Sequence, residues 1–334
     1  MRELPKYRAV LALSALLVAG CTAEKTPKPA TGDSVVAATP ALPAGEAMLA
    51  VDGGNIWYKV SGSGSATPVI LLHGGPGYGS FYLKPMEGLS TDRPVVRYDQ
   101  LGNGKSDRLT DTTKMNIAHF VAELEALRAK LGYDKVNIVG HSWGTILGYE
   151  YYKAHPTHVA SLTLMSAALN MPSWEANAKV LLKKLPDSLQ RAIADAERTA
   201  KFEGPAYEAA NNEFMSRYVV RHIRQADWDS TMKTVGMEQY MYFQGPTEFT
   251  IIGTLKRYDV SRELKNITVP TFFTVGEFDE ANPATIRKQA ATVVGAKVAV
   301  IDTAAHLTMW DNEPQTLQVV RDFLKSVDAS SVKK

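Results

Sequence analysis

Three side chains in this sequence have the types and order that serine acylation chemistry requires: Ser142, Asp279 and His306. A serine hydroxyl is a weak nucleophile until an imidazole takes its proton. The imidazole in turn needs a carboxylate to fix its tautomer and stabilise its charge. Ser142 lies in KVNIVGHSWG (135–144), where an apolar run with Val136, Ile138 and Val139 leads straight into Gly-x-Ser-x-Gly. So tight a turn from strand to helix requires that Gly140 and Gly144 lack side chains, and it leaves the serine Oγ exposed above the next helix. Of seven histidines, only His222 and His306 lie well downstream. His222 falls in a helical stretch with no strand before it, whereas His306 follows KVAVI (297–301) by a short loop. Asp279 comes just after the strand-like PTFFTV (270–275); Asp302 is the weaker acid, being too near His306 along the chain.

The elements around these residues agree with that order. The turn at Ser142 is the nucleophile elbow of an α/β-hydrolase, in which the chain order is Ser, acid, His. A second apolar run, VILLHGGPG (69–77), ends in a glycine-rich loop. In that fold such a loop supplies one oxyanion-hole N–H and the residue after the nucleophile supplies the other, here Gly75 and Trp143. His73 is expected to shape the loop, and His141 to point away from the nucleophile on steric grounds. A hairpin is expected over MLAVDGGNIWYKVSG (48–62), strands at 69–72, 95–98 and 161–166, and an amphipathic helix at 115–131 stopped by Gly132. From Asn170 to Tyr258 helical stretches such as 174–185 and 187–201 predominate, with frequent aromatics. Strand–helix alternation then resumes at 270–275, 283–293, 297–301 and 313–327. The expected architecture is an α/β-hydrolase fold, a mostly parallel sheet flanked by helices with an inserted helical cap.

The amino terminus reads as a targeting segment. Arg2, Lys6 and Arg8 precede an apolar stretch from Ala9 to Ala19 that is too short to span a bilayer. It runs into Leu-Val-Ala-Gly-Cys21, which resembles the lipobox of bacterial lipoproteins and implies that Cys21 is lipidated and residues 1–20 removed. Cys21 is the single cysteine, so no internal disulfide is available and the fold must stand on its core. Cleavage removes three cations and one carboxylate, taking the formal charge from +2 to zero, and no basic patch suggests nucleic acid. The resulting division is signal peptide 1–20, flexible tether 21–47, core 48–169, cap 170–258, core 259–328 and tail 329–334. The expected location is outside the cytoplasm, lipid-anchored to a bacterial membrane on the periplasmic side or at the cell surface.

HGGPG, YDQLGNGKSD (98–107), GHSWG, GPTEFTIIGTLKRYD (245–259), GEFDEANP (276–283) and HLTMWDNEP (306–314) together resemble the proline iminopeptidase (prolyl aminopeptidase) family of serine peptidases. The similarity covers roughly 48–328 and includes the tricorn-interacting aminopeptidase branch. The resemblance implies release of an N-terminal residue, preferably proline, from short peptides with a free amino terminus, through an acyl-enzyme and without metal or organic cofactor. It also implies that Glu248, in GP-x-EF, and Glu280, directly after the acid, bind the substrate's amino terminus. Carboxylates set one residue from the reacting carbonyl would reject internal peptide bonds, and an ammonium would relieve their mutual repulsion. Departures from the pattern are His141 in place of a small residue, Thr247 in place of asparagine and Thr145 in place of glycine. A triad alone does not fix substrate, so an esterase or lactonase, for example for acyl-homoserine lactones, is the alternative. A non-catalytic binding protein on the same fold is opposed by the complete triad.

Overall fold

A computed structural model describes residues 44–331. The signal peptide 1–20, the Cys21 lipidation site, nearly all of the tether 21–47 and the last residues of the tail lie outside the described residues.

Eight strands form one sheet in the order β1-β2-β4-β3-β5-β6-β7-β8. They are β1 (Gly45–Val51), β2 (Gly54–Ser61), β3 (Val69–Leu72), β4 (Val95–Tyr98), β5 (Val136–His141), β6 (Val159–Met165), β7 (Thr271–Gly276) and β8 (Lys297–Ile301). The hairpin β1–β2 runs antiparallel and β2 joins β4 antiparallel, while β3 to β8 are mutually parallel. The middle strands are buried at every position, which is why they read as unbroken apolar runs. Alternate residues serve opposite faces. Ile70 and Leu72 join the layer containing α1 (Ile117–Lys130) and α2 (Trp143–Ala154), whereas Val69 and Leu71 pack with residues of the closing helix 313–331.

Between β6 and β7 the chain builds a helical insertion: α3 (Met171–Leu182), α4 (Asp187–Thr199), α5 (Pro205–Phe214), α6 (Gln225–Lys233) and α7 (Met237–Phe243). Its two ends are tied together, Met171 N donating to Tyr258 O and Val260 N to Leu169 O around an isolated Asn170–Asp259 bridge. The insertion has a core of its own, with Phe214 and Phe249 edge to face at 4.9 Å. The α3 helix starts three residues before the expected 174. Asn170 caps it by accepting from Ser173 N at 2.7 Å, and Pro172 sits in the first turn, where it forfeits no hydrogen bond. After β7 come α8 (Pro283–Ala291), β8, the short α9 (Thr308–Asp311) and α10 (Glu313–Ser331).

Pairing of β3 with β5 sets Leu72 beside Gly140, so the loop after β3 and the elbow after β5 emerge side by side. Gly276 of β7 pairs with Ile301 of β8, which brings the loops carrying Asp279 and His306 together. All of these residues therefore meet at the carboxyl ends of the parallel strands, where open α/β sheets bind ligands.

Candidate active site

Ser142 has φ 55° and ψ −123°, a conformation that non-glycine residues adopt only when the surroundings enforce it. Here the enforcement is steric and polar. A Cβ on Gly140 would stand 2.3 Å from Gly144 O, and one on Gly144 would stand 2.2 Å from Leu72 O. Ser142 N donates to Met165 O at 3.0 Å, and its own carbonyl accepts from Thr145 N at 2.8 Å and Thr145 Oγ1 at 2.6 Å. Thr145, a departure from the expected pattern, thus ties down the first turn of α2.

His306 Nδ1 donates to Asp279 Oδ1 at 2.9 Å, which leaves the Nε2 lone pair free to act as a base. Asp279 also accepts from Ser166 Oγ at 2.6 Å, Ala281 N at 2.9 Å and Gly276 N at 3.2 Å. Burial pushes this carboxyl upward, but the neighbouring His306 and these hydrogen bonds outweigh it and hold the group below the ordinary aspartate range. Asp279 is thereby kept ionised. Ser142 and His306 share the wall of one cavity of about 40 Å³, which is bounded also by Gly74, Gly75 and Glu248. Ser142 Oγ makes no hydrogen bond among the described residues, and such contacts commonly tighten only when substrate binds.

Gly75, Ser142 and Trp143 line a second, smaller recess with Ala168, Met171 and Trp174. Trp143 opens α2, where its backbone N–H has no intrahelical acceptor. The loop bearing Gly75 is braced from below. Gln100 N donates to His73 Nε2 at 2.9 Å, Gln100 Nε2 donates to His73 O at 3.0 Å, and Trp143 Nε1 donates to Gln100 Oε1 at 2.8 Å. His73 Nδ1 then donates to Gly74 O at 3.0 Å, so His73 shapes this loop as expected. Below it, Leu101 N donates to the buried Glu123, whose carboxyl burial pushes up to about 8.

His141 does not turn away from the nucleophile. Its ring lies 4.5 Å from that of His306 and lines the same cavity. The turn at Ser142 breaks strand alternation, and both ring nitrogens find partners. Nε2 donates to His306 O at 3.0 Å, and Nδ1 accepts from Tyr82 OH at 2.9 Å, which itself accepts from Gly74 N at 2.5 Å. Burial, followed by the charge of His306, depresses His141 to about 3, so it stays neutral.

Glu248 borders both recesses at Ser142, and Tyr240 OH donates to its Oε1 at 3.0 Å. Glu280 is fully buried, and neither carboxylate oxygen has a partner among the described residues. Burial raises it well above the carboxylate range, with Glu248 and then Asp279 adding repulsion; burial also raises Glu248. The two rejected candidates lie elsewhere. Asp302 is exposed and bonded to Gln315, and His222 is 3.5 Å from Asp311 at the surface.

Sequence reasoning missed Tyr82 and Ser166; Trp174, one of the aromatics of the cap, lines the recess beside Ser142. Ser166 had a signal, a polar residue directly after the apolar run of a central strand; in the fold it adopts φ 51°. Tyr82 sits in the helical turns Ser80–Leu89, where no periodicity marks it.

Residues 67–313 match the family model for the α/β-hydrolase fold. A proline iminopeptidase from Heyndrickxia coagulans is 39% identical over 286 residues, covering 84% of this chain and 99% of the relative. One from Saccharolobus solfataricus is 33% identical over 287 residues, covering 84% and 93%. The crystal structure of proline iminopeptidase from Mycobacterium smegmatis superposes with a TM-score of 0.79 at 29% identity, covering 86% of this chain and all of that one. An elbow serine facing a His–Asp pair, on this sheet and with this degree of similarity, leads to one conclusion: the chain belongs to the proline iminopeptidase family of α/β-hydrolase serine hydrolases.

Proposed function

We propose that this proline iminopeptidase works through Ser142, His306 and Asp279, and that Glu248 and Glu280 hold the substrate's amino terminus, as in the tricorn-interacting branch. Ser142 Oγ attacks the first peptide carbonyl while its proton passes to His306 Nε2. The oxyanion is held by the N–H groups of Gly75 and Trp143. Collapse breaks the C–N bond, His306 returns the proton to the leaving amine, and a prolyl ester remains on Ser142. Water, deprotonated by His306, then attacks that ester, and proline leaves as the serine regains its proton.

The observation that carries the amine-binding role is the pair itself. Glu280 is a wholly buried carboxylate with no hydrogen-bond partner among the described residues, raised by burial and then by Glu248; Glu248 lines the nucleophile's cavity, whereas Glu280 is not among its lining residues. A group so placed destabilises the empty site, and a bound ammonium supplies the missing counter-charge. Prolyl-β-naphthylamide should therefore be hydrolysed at least about a hundredfold faster than its N-acetyl derivative, since the acetyl group leaves the carboxylates unpaired. Equal rates would remove the amine from the recognition scheme and favour general esterase or amidase action.

The lipid anchor rests on the amino-terminal sequence alone. Cys21 is proposed as the diacylated residue that holds the enzyme on the outer side of a bacterial membrane through the tether 21–47. Cys21→Ser should move the activity from the membrane pellet to the soluble fraction. Activity that stays sedimented with the membrane would refute the anchor.

A further inference from the structure

A third cavity of about 430 Å³ opens between α5, α6, α7 and the segment bearing Glu248. It shares Tyr78, Met215, Trp228 and Glu248 with the cavity that holds Ser142 and His306, so the two adjoin. Of its lining residues, the apolar Ile223, Met232 and Met237 are 51%, 37% and 46% exposed, which places them on its solvent side. Large apolar side chains grouped at the rim of a catalytic cavity mark a place where an apolar ligand enters.

The chemistry of the triad says which part of the substrate passes here. His306 must protonate the departing nitrogen, so the leaving group lies on the side of Ser142 where His306 stands. The recess beside Trp143 lacks His306 and shares only Glu248 with the chamber, whereas the cavity containing His306 adjoins the chamber along four shared residues. Glu248 is the only charged side chain among the chamber's lining residues. Of the cations next to lining residues in sequence, Arg217 is paired with Glu213, Arg221 lies over the Phe278 ring and Arg224 is paired with Glu313, and the exposed Lys233 is not among the lining residues. An acidic residue entering the chamber would lose hydration and find no counter-charge among the lining residues.

We propose that this chamber is a subsite for the residues following the cleaved bond, and that it makes the enzyme select peptides whose second and third residues are uncharged and apolar. Methionine suits such a role because its unbranched, polarisable side chain adapts to different apolar partners. This inference rests on the aminopeptidase reading above and adds to it a substrate class.

The test compares kcat/KM for H-Pro-Leu-Leu-NH2 and H-Pro-Asp-Asp-NH2, with prolyl-β-naphthylamide alongside, in the native enzyme and in Met232→Lys. The native enzyme should prefer the Leu peptide at least about tenfold. Met232→Lys places a cation on the chamber's solvent side and should cut that preference at least about threefold by raising the rate on the Asp peptide. A gain of activity on one substrate does not arise from misfolding. Native rates on the two peptides within twofold of each other, or an unchanged preference in Met232→Lys, would overturn the subsite while leaving the aminopeptidase reading intact. Failure to cleave either peptide or the naphthylamide would overturn both.

Discussion

Ser142→Ala is expected to lower kcat on a prolyl substrate by about 10⁴- to 10⁶-fold, with secondary structure and Tm close to the native values. The size follows from what is lost. Without Oγ no acyl-enzyme forms, so only binding and the oxyanion donors remain to favour direct attack by water. The small effect on folding follows from the site. Ser142 Oγ makes no hydrogen bond among the described residues, and the elbow is held by its backbone, by Gly140 and Gly144, and by Thr145. The serine's unusual φ persists because packing over-determines it, and alanine bears the same backbone cost there. Asp279→Asn should lose about 10⁴-fold by a different route, because an amide facing His306 Nδ1 selects the wrong tautomer. It should also disturb the fold, since Ser166 and two backbone N–H groups share that carboxylate. Stopped-flow or steady-state assays beside circular dichroism would separate the two.

Glu280→Gln should reduce kcat/KM on free-amine substrates by about a hundredfold or more, and at the same time make the empty protein more stable. The two effects share one cause. Burial, and then the charges of Glu248 and Asp279, raise the folded-state pKa of Glu280 well above the ordinary glutamate range. The folded protein therefore holds this proton more tightly than the unfolded chain. The associated stability is full below the unfolded pKa and declines as pH rises from there toward the folded value. Glutamine cannot ionise and abolishes that decline. The gain in Tm should be near zero at about pH 4 and grow to a few degrees at neutral pH. Calorimetry of the native and variant enzymes across that range checks the sign. A variant that loses activity and also loses stability at neutral pH would show that Glu280 has a structural partner rather than a role in binding an amine.

Much of the site was legible because its signals are local. A strand ending in Gly-x-Ser-x-Gly declares its own turn, and a histidine shortly after the last strand declares its position in the fold. The strands 95–98 and 297–301 were readable to the residue because they are short stretches rich in valine, each followed by an aspartate. What could not be read depends on partners far away in the chain. Tyr82 meets His141 across 59 positions, and Ser166 meets Asp279 across 113. The orientation of His141, expected on steric grounds to point away, was misjudged. Side-chain alternation stops where φ turns positive at Ser142, so a neighbour expected to point away joins the cavity. The chamber beyond Trp228 was likewise invisible. Its walls come from separate helices of the insertion, and no single segment carries the pattern.

The most direct test of the central claim is mass-spectrometric mapping of the adduct formed with a prolyl phosphonate diphenyl ester, a reagent that phosphonylates an activated serine. The account predicts one stoichiometric adduct on the peptide containing Ser142, absent after His306→Ala and formed far more slowly by the N-acetylated reagent. A single adduct at another residue, or hydrolysis of prolyl substrates that persists after Ser142 is fully modified, would contradict it.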